Sequence, residues 1–224
     1  MAKVHGIPGE WARVRGSMAG LWPLFVGVFA AGASVTLAVF LPLWGGAALA
    51  VALLWIYWSL MVGMRKIERF FKGARGEERV SEILCSLPDA CHVFNDFKIG
   101  RDQIDHVVAG PGGVFAIETK CWSGKVTAED GRILVDGRSP DRSPLEQAVG
   151  EAELLRKALA AAGWTGPVTP VVAFASDTFV ARRANLKGTL VINSNELQAS
   201  LGSDRVVIQP AELERLVCLM KGIG

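Results

Sequence analysis

From Gly16 through Met64 the chain carries no Asp, Glu, Lys or Arg. A helix needs ~20 predominantly apolar residues to cross the hydrocarbon core of a bilayer. This run is long enough to do so twice. We read spans at 18–41 and 43–64, with Pro42 between them, where a pyrrolidine ring interrupts a helix. The turn is too short to hold a domain, so the two spans form a tight helical hairpin. Gly20, Gly27, Gly32, Gly45 and Gly46 suit close helix packing in lipid. Trp22, Trp44, Tyr57 and Trp58 fall toward the interfaces and Trp55 deeper. Ala31, Gly32 and Ala33 have the small-residue look of a signal-peptidase site, but the apolar run continues well past them.

The flanks set an expected orientation. Lys3, Arg13 and Arg15 precede the first span, and Arg65, Lys66, Arg69, Lys72 and Arg75 follow the second. Positive residues on both sides place both termini in the cytoplasm. The expectation is an integral protein of the inner (cytoplasmic) membrane, with membrane lipid as a partner of the basic stretch. The layout is an amino-terminal segment at 1–17, the hairpin at 18–64, a basic juxtamembrane linker at 65–75 and a soluble domain at 76–224.

Everything beyond the apolar run, residues 65–224, is formally neutral. Of 24 Lys and Arg, all but Lys3, Arg13 and Arg15 lie beyond residue 64, as do all but Glu10 of the 22 Asp and Glu, leaving 21 of each. No global basic field advertises nucleic-acid binding, so any such contact is local. The cysteines, at 85, 91, 121 and 218, form no CxxC pair. That excludes a zinc ribbon, and so few cysteines make no disulfide framework.

The pattern from residue 76 onward is mixed. A helix over 76–87 carries Val80, Ile83, Leu84 and Leu87 at helical spacing. Short strands follow at 92–97, 103–109 and 114–120, the last two a hairpin turning on Gly110, Pro111, Gly112 and Gly113. A second strand pair over 123–136 turns at Asp130 and Gly131. Ser143 caps a helix with Pro144 at its first position, and Leu145, Val149, Ala152, Leu155 and Leu159 form its apolar face. Strands at 168–175 and 190–193 and a helix from Pro210 complete an α/β sandwich around a mixed sheet. Arg182, Arg183 and Lys187 fall in a loop.

One stretch carries chemistry. On a strand, Glu118 and Lys120 point the same way and Thr119 the other. The hairpin brings Asp105 beside Glu118, so two carboxylates and an ammonium share one small volume. Adjacent carboxylates repel, and one must rise in pKa. A divalent cation removes the conflict, since Mg²⁺ takes oxygen ligands and is commonly held by one or two carboxylates plus water and phosphate oxygens. Lys120 would orient the attacking water or stabilise charge developing on a phosphate.

These residues resemble the PD-(D/E)xK nuclease superfamily, and more narrowly the NERD, or nuclease-related, domain. The resemblance begins at Gly73, Arg75, Gly76 and Glu77. It continues through Asn95 and Asp96, the strand Gln103-Ile104-Asp105-His106, and Pro111 to Lys120, and it reaches Ser143, Pro144, Leu145, Glu146 and Gln147. It implies a restriction-endonuclease-like mixed sheet flanked by helices, and a metal-dependent nuclease acting on DNA or RNA. By position it assigns Asp105 and Glu118 as ligands of Mg²⁺ or Mn²⁺. It assigns Lys120 as the catalytic lysine, Glu77 as the acid of the first helix and Gln147 as the helix glutamine closing the site. Ser143 departs from the Asn usual before this proline, which hardly matters at a helix cap. No organic cofactor is implied.

Blander roles stand beside these. Glu77 at a helix start would be favoured by the helix dipole alone. Gln147 would be a surface residue, His106 a structural neighbour on the opposite strand face, and Trp122 a packing residue. The rival to the nuclease is a catalytically silent membrane protein whose nuclease-like fold binds nucleic acid or a protein partner. A third reading is a purely structural membrane-assembly protein.

Overall fold

The computed structural model describes residues 1–202 and 206–224. The chain divides into two compact units, one of residues 10–74 and one of residues 1–9 with 75–224.

The first unit is a pair of long helices. Helix α1 spans Glu10–Phe40 and α2 begins at Pro42 and runs to Cys85. Leu41 alone separates them, and Pro42 takes the first helical position, where its missing N–H is not needed. Both are long and apolar enough to cross a membrane. The residues buried in α1 are Gly16, Gly20, Gly27 and Ser34. Those buried in the first part of α2 are Gly45, Ala52, Ser59 and Gly63. Most fall seven apart on each helix, the repeat that keeps one seam facing a partner helix. Every seam residue is small, so the backbones come close. A Cβ at Gly20 would lie 2.5 Å from Ile67 Cγ1, and one at Gly63 would lie 2.7 Å from the Gly20 carbonyl oxygen. The Trp55 indole N–H donates to the Pro23 carbonyl at 2.9 Å, so this polar group is satisfied inside the hairpin. Trp22, Trp44, Tyr57 and Trp58 are exposed. No break falls between residues 64 and 76: the basic stretch expected as a linker is helical and continuous with the helix expected from Gly76. No glycine or proline pair there stops it, and Gly73 and Gly76 sit inside it.

The second unit is built on a seven-stranded mixed sheet in the order β1-β2-β3-β4-β7-β9-β8. The strands are β1 (Lys3–His5), β2 (His92–Ile99), β3 (Asp102–Gly110), β4 (Gly113–Lys120), β7 (Val168–Phe174), β8 (Arg183–Leu186) and β9 (Thr189–Asn193). A separate hairpin holds β5 (Val126–Glu129) and β6 (Arg132–Val135). Strands β3 and β4 form the expected hairpin around Pro111 and Gly112, while β4–β7 and β7–β9 are parallel.

Helices cover both faces. Helices α3 (Pro144–Ala161) and α5 (Pro210–Ile223) pack Ala152, Leu155, Leu159, Leu216 and Met220 against Val107, Ala109 and Ala116 of the sheet. On the other face, Val80 and Leu84 of the α2 end and Leu87 just beyond it join Leu197 and Leu201 of α4 (Leu197–Leu201) over Val108, Ile117 and Ile192. Ser143 caps α3 as read from the sequence, its hydroxyl accepting the Glu146 N–H. Val149 is exposed and Ala148 takes its place on the buried stripe.

Two strands differ from expectation. Arg183–Leu186 is a strand, β8, rather than a loop; it pairs antiparallel with β9 through a turn at Lys187 and Gly188, both at positive φ. The amino-terminal segment is not an inert tail: Lys3, Val4 and His5 pair in parallel with His92, Val93 and Phe94.

Candidate active site

The site forms where the β-ladder gives way. Pairing between β3 and β4 ends at His106 and Ile117. One step further the register sets Asp105 opposite Glu118 with no ladder pair. There the Thr119 N–H donates instead to Asp105 Oδ2, at 2.8 Å. On its other side Asp105 falls opposite Asp96, also skipped by the ladder, with φ of 51°. Neighbouring residues on paired strands share a face. Since Val107, Ala109 and Ala116 face α3, alternation turns Asp105 and Glu118 toward α3 as well.

Helix α3 supplies the next two groups. Lys120 Nζ pairs with the Glu118 carboxylate and also donates to Gln147 Oε1 at 2.9 Å. Gln147 Nε2 donates to Glu151 Oε1 at 3.2 Å. The residues Glu118, Lys120, Gln147 and Glu151 therefore form one connected chain of polar contacts. Glu77 enters from α2 and is buried. It lies deep inside a 44-residue helix rather than at a helix start, so a helix dipole does not explain it.

The electrostatics follow from crowding carboxylates away from water. Asp105 is held well above the usual carboxylate range, first by burial and then by Glu118 and Glu77. Glu77 is pushed up to about 7 by burial, with Asp96 and Glu118 adding to it. Glu151 is pushed up to about 9, again by burial first and then by Glu118. Glu77 Oε2 and Glu151 Oε2 are buried with no hydrogen-bond partner. His106 sits on the opposite strand face, buried, its Nδ1 2.8 Å from Asn95 Oδ1. Burial lowers it to about 3, so it is neutral and structural. Trp122 packs against the Phe174 ring. The cysteines at 85, 91, 121 and 218 are all free thiols.

The structure thus brings Glu77, Asp105, Glu118, Lys120 and Gln147 into one cluster. Sequence reasoning missed Glu151. Its signal was present, since Ala148, Glu151, Leu155 and Leu159 follow the 3–4 spacing of the buried stripe of α3. A glutamate on such a stripe is costly unless a partner or a ligand receives it.

Residues 72–175 match the family model NERD, the nuclease-related domain. This stretch is similar to the nuclease-related domain family. The match runs from α2 to the end of β7 and so spans the whole acidic cluster, with β8, β9, α4 and α5 beyond it. No curated protein and no solved structure matches the chain.

A divalent cation is the group this domain family implies. Among the described residues, no three His, Cys, Asp or Glu side chains converge closely enough to enclose an ion alone. Mg²⁺ does not require that, because it keeps several waters and uses one or two protein carboxylates. The donor chemistry fits: oxygen donors only, held unfavourably close, with buried carboxylate oxygens lacking partners.

Proposed function

We propose that the chain is a membrane-anchored, divalent-cation-dependent nuclease that hydrolyses phosphodiester bonds in DNA or RNA. The observation that carries this reading is the buried acidic cluster around Lys120, in which Asp105, Glu77 and Glu151 are all displaced upward. A purely structural core gains nothing from packing four carboxylates around one ammonium, whereas catalytic sites depend on such displaced groups. Asp105 and Glu118 would hold Mg²⁺ or Mn²⁺. Bound there, the cation supplies charge neutralisation at the phosphodiester and makes a water more acidic.

The protein's own groups have defined tasks. The Lys120 ammonium, fixed by Glu118 and Gln147, stabilises charge developing on the phosphoryl oxygens or orients the attacking water. Gln147 holds the lysine in place. Glu77, pushed up to about 7, exchanges a proton near neutrality at the edge of the cluster, while Glu151 stays protonated and holds Gln147 through its Oε1. The anchor would be the α1–α2 hairpin, and a reading with both ends on one side of the membrane is supported by the residues before and after it sharing one compact unit. The basic flanks favour the cytoplasmic side, with Arg65, Lys66, Arg69 and Lys72 contacting anionic lipid headgroups.

The test uses the full chain in lipid nanodiscs, incubated with labelled single- and double-stranded DNA and RNA. Mg²⁺, Mn²⁺ and a chelator are compared. Cation-dependent cleavage by the parent, absent in Asp105→Asn, Glu118→Gln and Lys120→Met proteins that melt like the parent, is the expected result. Cleavage retained in all three variants refutes it. A parent that binds nucleic acid without cutting it supports the silent binding protein instead.

A further inference from the structure

The segment ahead of the apolar helices makes contacts that neither the fold match nor the anchor accounts for. It docks on the free edge of β2 through the parallel pairing of Lys3, Val4 and His5. The Ala2 N–H donates to the Cys85 carbonyl at 3.1 Å and the Lys3 N–H to the Cys91 carbonyl at 2.9 Å. The His5 ring stacks on Phe94, 4.6 Å between centroids, and meets His92 at 3.3 Å. These contacts fix the path of the next few residues, and two of those residues reach the site.

The first is Gly6, whose carbonyl accepts the Asn95 side-chain amide at 3.5 Å. With its amide nitrogen committed there, Asn95 presents Oδ1 to His106, the residue next to Asp105. A side chain at Gly6 would drive a Cβ to 2.4 Å from the Asn95 carbonyl oxygen, so only glycine permits this approach. The second is Gly9. It is buried, with φ of 69°, and its backbone N–H donates to the Glu77 carboxylate, where it counteracts the upward push of burial. The other Glu77 oxygen, Oε2, has no partner. One hydrogen bond therefore orients Glu77, and its second oxygen is buried without a partner.

We infer that residues 1–9 are a strap that completes the acidic site in cis, with the Gly9 N–H as the positioning group for Glu77 and Gly6 as the anchor for Asn95 and His106. This deepens the nuclease reading and rests on it for its catalytic meaning. A domain trimmed to residues 73–224 would keep every acidic side chain and lose the group that aims one of them. The strap is followed directly by α1, and Glu77 lies on α2. Both apolar helices are thus joined by short stretches of chain to opposite halves of one hydrogen bond.

The test compares the full chain in nanodiscs with an Ala2→Pro/Lys3→Pro variant, which removes two docking donors without touching the cluster. Mn²⁺ affinity by calorimetry, cleavage and hydrogen exchange over 76–82 and 102–106 are measured, with and without a synthetic peptide of residues 1–9. The expected result is roughly tenfold weaker Mn²⁺ binding and slower cleavage, the loss typical when a supporting partner of a ligand is removed. Faster exchange should appear in both segments, and the peptide should restore all three readings. Unchanged affinity and unchanged exchange at 76–82, in a variant whose β2 edge has become exchangeable, overturns the strap. If the parent itself neither cuts nor binds Mn²⁺, the nuclease reading fails; the strap is then supported or overturned by the exchange at 76–82 alone.

Discussion

Gln147 donates its side-chain amide to Glu151, one turn further along α3, at 3.2 Å. That contact decides which end of the Gln147 amide faces Lys120, and so presents a carbonyl oxygen, not an N–H, to the ammonium.

Glu151 should therefore be replaceable by its isostere and not by a truncation. At neutral pH its carboxyl, pushed up to about 9, is protonated, so Glu151→Gln preserves both charge and shape. We expect that variant to melt and cleave like the parent. Glu151→Ala should lose roughly tenfold in cleavage rate, the size expected for an outer hydrogen-bond partner. Equal activity in both variants would remove Glu151 from the site.

Stability without divalent cations should fall as pH rises. Glu77, Glu151 and Asp105 are raised in the folded protein, so the folded state holds protons that the unfolded chain releases above about pH 4.5. Their stabilising contribution is complete below that pH, and it is lost for Glu77 as pH rises through about 7 and for Glu151 through about 9. His106 acts the other way, since its depressed value makes it a destabilising influence only as pH falls below 6.5. Thermal melts in chelator from pH 7 to 9, above the ordinary histidine range, should show a declining midpoint. A rising midpoint over that range would contradict the crowding of these groups.

Cation binding should release protons. A ligand held well above the usual carboxylate range must give up its proton before it can coordinate. Mn²⁺ affinity should thus be higher at pH 8 than at pH 6. Calorimetry in two buffers of different ionisation enthalpy should show net proton release, which Asp105→Asn should reduce.

The hairpin should not tolerate bulk on its seam. A Cβ at Gly20 already lies 2.5 Å from Ile67, and a leucine there forces the helices apart. Overpacking of this kind typically costs ~1–3 kcal/mol. In nanodiscs Gly20→Leu should open the 38–46 turn to protease, while Gly32→Leu, which meets nothing within 4 Å, should not.

Much of this was legible because local signals and packing agree. The charge-free run and Pro42 give the paired helices, and Pro111 with Gly112 and Gly113 gives the hairpin that sets Asp105 against Glu118. What escaped depends on contacts far apart in sequence. The three residues of β1 have no periodicity of their own and become a strand only because β2, almost ninety positions on, offers a free edge. Strand β8 is as short and polar, and it too exists only through its neighbour. Residues 65–75 read as a linker because charge marks a membrane boundary, yet charge does not end a helix. Glu151 was passed over because a single acidic residue on a long helix is usually solvated, and only the position of β4 across from it makes the difference.

The pairing of β1 with β2 also imposes an order on biosynthesis. The ribosome makes residues 3–5 before either apolar helix, and their strand partner, residues 92–94, only after both. The early segment must wait unpaired until β2 emerges, and the long loop must then close, at an entropic cost that grows only slowly with its length. If only one helix of the proposed anchor spanned a membrane, the early segment and β2 would lie on opposite sides, and β2 would keep an unpaired edge. The acidic site would then be assembled only in chains whose insertion had succeeded.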